Sequence, residues 1–375
     1  QLGIAEKDSS SQRLVLGGLL TSAGAAKGFR FAIDPDKLVL NGDIWTVPEE
    51  NFIQFSSKVL YANNVKIERN GSFIALNSQG PVAANAPLNV EFGNFRISTV
   101  MEMIQRQDST FSGTINGTAN VTNLMKGTPA FTSDIIVSQF AYMGNPVGDI
   151  ALKASSASAT LYNIDAALTG NGNQISVIGS YDAQPKAGVL NLTANVTTLN
   201  LKTVESFAMG AVKDVAGTAN GTLKITGTVA DPDIIGDLNF NAAQFNVAML
   251  NAVYKLPNER ISFTSDGISL QNVTIADASN NQMKVSGMVY TKNYVDYRFD
   301  LAANTDRFLA MNSTGKDNDL YYGTLWLDAN ATIKGDQNLP VIDAKVAVLD
   351  GSDLTIVVPG AAAGASESEG VVEFV

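Results

Sequence analysis

The chain has 375 residues, room for two or three average domains or for one long repetitive one. It carries 25 Lys+Arg against 36 Asp+Glu, a formal net charge of −11, and contains neither His nor Cys. That excludes a Ser-His-Asp triad, a thiol nucleophile, a zinc site of nitrogen or sulfur ligands, His- or Cys-ligated haem, and any disulfide. The acidic balance also argues against nucleic acid, which calls for a basic stripe.

What remains is 45% apolar and only 16% charged, with 32 Gly, a composition suited to a large β-protein with much covered surface. The most apolar early stretch, 14–26, lies between Arg13 and Lys27 and contains three Gly. It falls short of the roughly 18–20 residues of a membrane helix. The opening on Gln1 and the loose Gly-Ala-Ser-Glu run at 360–370 lead to the expectation of a piece of a longer chain, with any anchor outside it.

Along the chain the dominant pattern is period-2 alternation broken by Gly, Asn and Asp, the signal of half-buried strands joined by tight turns. A first helical stripe comes at 97–107, where Ile97, Val100, Met101 and Ile104 fall at i, i+3, i+4, i+7. Strands follow through Tyr162, Ile164, Ala166 and Leu168, and through Leu190, Leu192, Ala194 and Val196. Between strands, Gly170-Asn-Gly172 reads as a hairpin turn, since no helix follows it to hold a phosphate. A second helix is expected over 201–209, on Leu201, Val204 and Ala208. Then the alternation runs through Leu223, Ile225, Leu238, Phe240, Phe245, Val247, Ile261, Phe263, Leu270, Met283 and Val285. A third, shorter helix is expected at 306–311.

The chain repeats itself. Leu201, Thr203 and Val204 reproduce Ile97, Thr99 and Val100, and Gly217-Thr-Ala-Asn-Gly221 reproduces Gly113-Thr-Ile-Asn-Gly117, each 104 positions on (201 − 97 and 217 − 113). A weaker third copy starts at Gly323-Thr-Leu. The unit of about 105 residues is read as helix, Gly turn and eight or nine strands, and such a unit buries its apolar face only by sharing a core with its neighbours. The expected division is an incomplete first repeat at 1–92, a repeat with a leading helix at 93–200, another at 201–305, a partial terminal repeat at 306–360, and a loose tail at 361–375. Fold class is therefore all-β with a few short helices, about three repeats building one long sheet. Alternation alone leaves open a closed core or an open trough.

The run from Gly217 through Gly-Thr-Leu-Lys-Ile-Thr-Gly-Thr-Val-Ala-Asp-Pro-Asp to Leu238 resembles the G-x-L-x-I-x-G-T-x-x-x-P-x-x-x-G-x-L signature of the TamB family, within the AsmA-like group. Ile261-Ser-Phe263, Gly267-Ile-Ser-Leu270, Val285-Ser-Gly287 and the run from Asp306 to Thr314 continue the likeness. Asn318-Asp-Leu-Tyr-Tyr-Gly-Thr324 and Ile333-Lys-Gly335 are similar to the Bacteroidetes-type version. The resemblance covers 200–360, and 92–200 by repetition.

It implies a long sheet curled along its length, a β-taco with an apolar groove, in the bacterial periplasm and anchored to the inner membrane by a segment not present here. It implies a bridge conducting phospholipid between the two membranes, with an Omp85-type barrel as outer-membrane partner, or alternatively a role in assembling outer-membrane proteins with that barrel. The expected groove lining is Leu223, Ile225, Leu238, Phe240, Phe245, Val247, Ile261, Phe263, Leu270, Met283 and Val285.

Other classes fit the alternation as well. These are an outer-membrane β-barrel, a structural solenoid or adhesin with a closed core, and a carbohydrate-active β-helix. The last would need converging carboxylates. The acid pairs Asp34/Asp36, Asp231/Asp233 and Asp317/Asp319 read as turn residues instead. No enzyme, metal site or cofactor is expected.

Overall fold

A computed structural model describes residues 2–5, 14–24, 28–40, 42–103, 110–126, 129–183 and 187–357. Six short strands come first: β1 (Leu2–Ala5), β2 (Leu14–Ser22), β3 (Phe29–Leu40), β4 (Asp43–Ile44), β5 (Phe52–Phe55) and β6 (Leu60–Asn63). They form a sheet of their own in the order β1-β2-β3-β5-β6, with β4 on β3.

The remaining strands build one antiparallel sheet of 18. It opens with β7 (Val65–Arg69), β8 (Ser72–Ser78) and β9 (Leu88–Arg96), then helix α1 (Ile97–Met103). Six strands follow: β10 (Phe111–Thr122), β11 (Ala130–Tyr142), β12 (Asn145–Ser156), β13 (Leu161–Gly170), β14 (Asn173–Asp182) and β15 (Val189–Asn200). Helix α2 (Leu201–Glu205) and a 3₁₀ turn (Ser206–Ala208) lead into six more. These are β16 (Val212–Thr228), β17 (Pro232–Val247), β18 (Ala252–Thr264), β19 (Gly267–Ala276), β20 (Gln282–Tyr290) and β21 (Arg298–Ser313). The sheet ends with β22 (Tyr321–Asp336), β23 (Pro340–Val348) and β24 (Asp353–Ile356).

Every strand from β8 to β21 pairs with its two neighbours in the sequence, so the order in space is the order in the chain. Between α1 and α2 the strands are fewer and longer than the eight or nine expected, because the apolar alternation runs unbroken across each one. β7 pairs with β8 and, through one isolated bridge from Glu68 to Thr46, with the segment that follows β4. At the far end β23 and β24 both lie along β22. Nothing among the described residues joins β22–β24 back to β7, so the sheet is open, which a transmembrane barrel cannot be.

The first sheet covers the start of the second. Ile33, Leu38, Trp45, Val47, Ala62, Val65 and Phe95 form one buried cluster, against which Ile67, Ile74, Leu76, Leu88, Phe92 and Ile115 pack. Trp45 meets Phe95 at 6.2 Å between ring centroids. Asn51, 2% exposed, ties this cap together. Its side chain accepts from the Ile33 N–H at 2.8 Å and donates to the Ile33 carbonyl at 2.8 Å and the Pro48 carbonyl at 2.7 Å.

Three local expectations change. The helix expected at 306–311 is strand, part of β21. Two register shifts, between Thr305 and Phe308 and between Leu309 and Met311, turn a 3.6-like spacing of apolar residues into two buried anchors. Phe308 and Met311 are 3% and 2% exposed. The Gly-x-x-x-Gly motifs of the repeat lie within strands and are not turns. Gly117 and Gly221 sit inside β10 and β16 at φ +132° and +156°, where an added Cβ would overlap the carbonyl oxygens of Asp134 and Asp237. Only glycine accepts that close approach of the neighbouring strand, which lets the sheet bend. Asp34-Pro35 likewise sits in a bulge of β3, with Lys37 at 2.9 Å from Asp34, instead of opening a turn. The stripe at 97–107 is helical as far as Met103, and Ile104 lies outside the described residues.

Candidate functional site

Directly paired residues of an antiparallel ladder share a face. Followed across the sheet, one such row runs Ile67, Ile74, Phe92, Gly117, Ile135, Leu152, Ala166, Val177, Ala194, Leu223, Gly236, Phe263. From Phe263 it continues through Ile268, Val289 and Phe299. The adjoining row contains Ile150, Leu168, Ile175, Val196, Gly221, Leu238 and Ile261. One face of the whole sheet is thus apolar from end to end.

All eleven residues expected to line a groove lie on that face. Leu223 and Ile225 (β16), Leu238 and Phe240 (β17), and Ile261 and Phe263 (β18) occupy neighbouring ladder rows. Phe240, Phe245 and Leu270 pack on Leu201, Ala219, Ala243, Leu256 and Val273. Val247 and Met283 pack on Ala252, Tyr254 and Phe308, and Val285 stands opposite Val273. Phe240 and Phe245 are five apart, so strict alternation would put them on opposite faces. The left-handed Ala242, φ +47°, breaks the alternation between them and returns both rings to one side.

How that face meets its surroundings is read from adjacent isoleucines. Ile136 is 46% and Ile235 45% exposed on the outer face, while Ile135 and Ile234, one residue away on the other face, are half-buried. Of the eleven residues expected to line a groove ten are half-buried, and Val285 alone is buried. No side chain of β11–β14 belongs to any of the three packed clusters. The face is neither sealed by a second layer there, which would bury it as the cap buries Val65 and Phe95, nor fully open like its reverse. Concave curvature accounts for this intermediate state, because side chains on the inside of a bend shield one another and those on the outside splay apart.

The reverse face is mostly polar, with Ile136, Ile178 and Ile235 as exposed apolar exceptions. Lys153 lies 3.4 Å from Asp134, and Arg260 donates to Asp237 at 2.6 Å. The Arg260 guanidinium and the Ser262 hydroxyl, which donates to Asp237 at 2.6 Å, hold the Asp237 carboxyl below its ordinary range.

The two edges of the trough differ. Both helices and the turns at 248–251 and 277–281 lie on one edge. There α2 is fixed by Asn173, whose side chain donates to the Val147 carbonyl (2.8 Å) and the Thr203 hydroxyl (2.9 Å) and accepts from the Asn200 N–H (2.8 Å). Asp277, 0% exposed, caps the β19–β20 turn by accepting from the Ser279 and Asn281 N–H groups at 2.8 and 2.9 Å. Burial pushes the nearby Tyr254 hydroxyl up to about 12. The other edge carries the hairpin turns at 157–160, 229–231 and 265–266, none of which contains a buried residue, and the longer 291–297 connection, where Thr291 is buried.

The acid pairs stay apart from this face. Asp231 precedes β17 in a turn closed by Thr228, and Asp317 accepts from the Thr314 N–H and hydroxyl at 2.9 Å. In Gly170-Asn-Gly172 the first glycine closes β13 opposite Asn173, and Asn171-Gly172 is the two-residue turn of the β13–β14 hairpin. The residues expected to line a groove begin at 223, although Ile135, Ile150, Val177 and Leu192 share the same apolar face. The alternation at 162–168 and 190–196 was the signal for them.

No curated protein and no solved structure matches the chain. The model of the TamB C-terminal domain matches residues 271–375, a stretch that holds β20 to β24 and most of β19. No helix among the described residues is long and apolar enough to cross a membrane. Over that C-terminal segment the chain is similar to the TamB family, which supports the resemblance read from the sequence.

Proposed function

We propose that the apolar face conducts phospholipid acyl chains along the sheet, from the capped end at β7 toward the edge at β22–β24, in the periplasm between the two membranes of a bacterial envelope. The match to the TamB C-terminal domain supports a family role in outer-membrane biogenesis. The observation that carries the finer reading is the half-buried state of a face that is apolar row after row. Each methylene taken out of water is worth about 0.8 kcal/mol, so a hydrocarbon tail needs shelter at every step of its path. A face of Leu, Ile, Val, Phe and Met without a lid offers that shelter at uniform strength, which permits sliding. A closed solenoid would leave no room for a tail.

A specific observation favours a second activity, assembly with an Omp85-type barrel. All nine residues of β23 are exposed, and among the described residues β23 pairs only with β22. An unpaired edge of this kind accepts an added strand. It is compatible with conduction and would place the end of the trough at the barrel.

Photo-crosslinking residues placed singly along β16–β18 test the conducting reading. Phospholipid adducts are expected at 223, 225, 238, 261 and 263 and not at 224, 237, 239 or 262. Equal labelling of both sets, or none, overturns it.

A further inference from the structure

On the ladder-paired positions of the apolar face from β10 to β23, one side chain carries a charge. Glu259 of β18 stands directly opposite Phe240 and two residues before Ile261, half-buried among them. The adjacent Arg260 points to the other face and is engaged by Asp237 at 2.6 Å, so it does not neutralise Glu259. No donor among the described residues reaches the Glu259 carboxylate.

The same place is distinguished by the backbone. β18 pairs with β19 at Lys255–Ala276 and next at Ser262–Ser269, and residues 256–261 and 270–275 between them have no ladder partner across that seam. The bulges elsewhere in the sheet skip only one to three residues. Pro257, on the Glu259 strand, removes a backbone donor there as well.

A carboxylate facing an apolar path keeps water or a cation beside it, since desolvating it alone is far costlier than pairing it. When hydrocarbon fills the trough on either side, the cation that arrives with it is the headgroup's own. We propose that Glu259 is a headgroup-binding residue at the β18–β19 seam, taking the ammonium of an amphiphile such as an ethanolamine phospholipid and disfavouring headgroups that carry only negative charge. This rests on the conducting reading above and adds a ligand class to it.

The chain is incubated with vesicles of equimolar phosphatidylethanolamine and phosphatidylglycerol, recovered without detergent, and its bound lipid quantified by mass spectrometry. The expected result is enrichment of the ethanolamine lipid in the wild type, a fall of about fivefold in that ratio for Glu259→Gln, and inversion for Glu259→Lys. The control Asp165→Asn, a carboxylate on the outer face, is expected to leave the ratio unchanged. Bound lipid with the same ratio in all four proteins overturns the role of Glu259 and leaves conduction standing. Absence of lipid from every one of them overturns both. Circular dichroism melts of the variants matching the wild type establish that a changed ratio is not a folding effect.

Discussion

Tyr254 of β18 stacks on Phe308 of β21 with ring centroids 5.5 Å apart, although two strands separate theirs in the ladder. The contact exists because β19 and β20 are short, ten and nine residues against thirteen and sixteen for β18 and β21. Beyond their common turn the outer two strands close on each other. The Tyr254 hydroxyl donates to the Ala310 carbonyl at 2.8 Å, the Asn312 N–H to the Leu250 carbonyl at 2.9 Å, and the Leu309 N–H to Asp277 Oδ2 at 2.9 Å. This clasp ties β18 to β21 along one edge of the trough.

Tyr254→Phe removes one buried hydrogen bond and leaves the Ala310 carbonyl unsatisfied, a cost of about 1–3 kcal/mol. Phe308→Ala removes the ring beneath it and leaves a cavity, a cost of about 3–5 kcal/mol. Urea unfolding midpoints are expected to fall in that order. A larger loss for Tyr254→Phe than for Phe308→Ala would show that the hydrogen bond, and not the packing, holds the edge.

Substitutions on the two faces of the sheet, in β17 and β19, separate binding from folding. Phe240→Asp and Leu270→Lys place charge on the half-buried apolar face and are expected to abolish lipid capture and to lower stability by about 1–3 kcal/mol. Asn239→Asp, exposed on the reverse face between Leu238 and Phe240, is expected to change stability by less than about 0.5 kcal/mol and to leave capture intact. Detergent-free recovery with lipid mass spectrometry and thermal melts on the same samples give both readings.

The architecture was largely legible in the alternation, and the places where it was not share a cause. Leu223, Ile225, Leu238, Ile261 and Phe263 keep strict period-2 spacing and share one face of the ladder. Phe308 and Met311 were misread as helical because two bulges in β21 shift the period locally, and a bulge leaves no mark in the apolar pattern beyond a false 3.6 spacing. Glu259 escaped notice because a search for apolar repeats passes over the one position that interrupts them. The cap formed by β1–β6 depends on long-range docking of Trp45 on Phe95, fifty residues apart, which no local pattern carries.

Acid weakens the fold through carboxylates whose charged form is favoured in the folded state. Asp237 is held below the ordinary 3.8 by Arg260 and then by Ser262, and Asp317 by the Thr314 N–H and hydroxyl. For Glu205 burial pushes upward, but the Lys202 ammonium and the Val215 N–H together bring it below 4.5. A folded value below the unfolded one means stability that is fully present above the unfolded value and lost as pH falls through the folded one. The melting temperature is therefore expected to be flat from pH 7 to about 5 and to decline below about 4. Asp237→Asn is expected to lie below the wild type at pH 7 and to converge with it at pH 3. Parallel curves at all pH values would remove the Asp237 carboxylate from the account.

The bend of the sheet depends on positions where strands come too close for a side chain. At Gly221, φ +156°, a methyl group would overlap the Asp237 carbonyl across the β16–β17 ladder, so Gly221→Ala must either push the strands apart or flatten the curve. The backbone conformation and the displaced ladder together cost about 1–3 kcal/mol. Gly315→Ala, in the β21–β22 loop with only the Tyr322 ring at 3.5 Å from the added carbon, is expected to be neutral within about 0.5 kcal/mol. If curvature is what shelters the apolar face, Gly221→Ala also loosens lipid binding while the protein stays folded, because flattening exposes Leu223 and Leu238 as Ile235 is exposed on the outside of the bend. Lipid retention unchanged in a folded Gly221→Ala protein would mean that the shelter comes from the side chains alone and not from the curl that glycine permits.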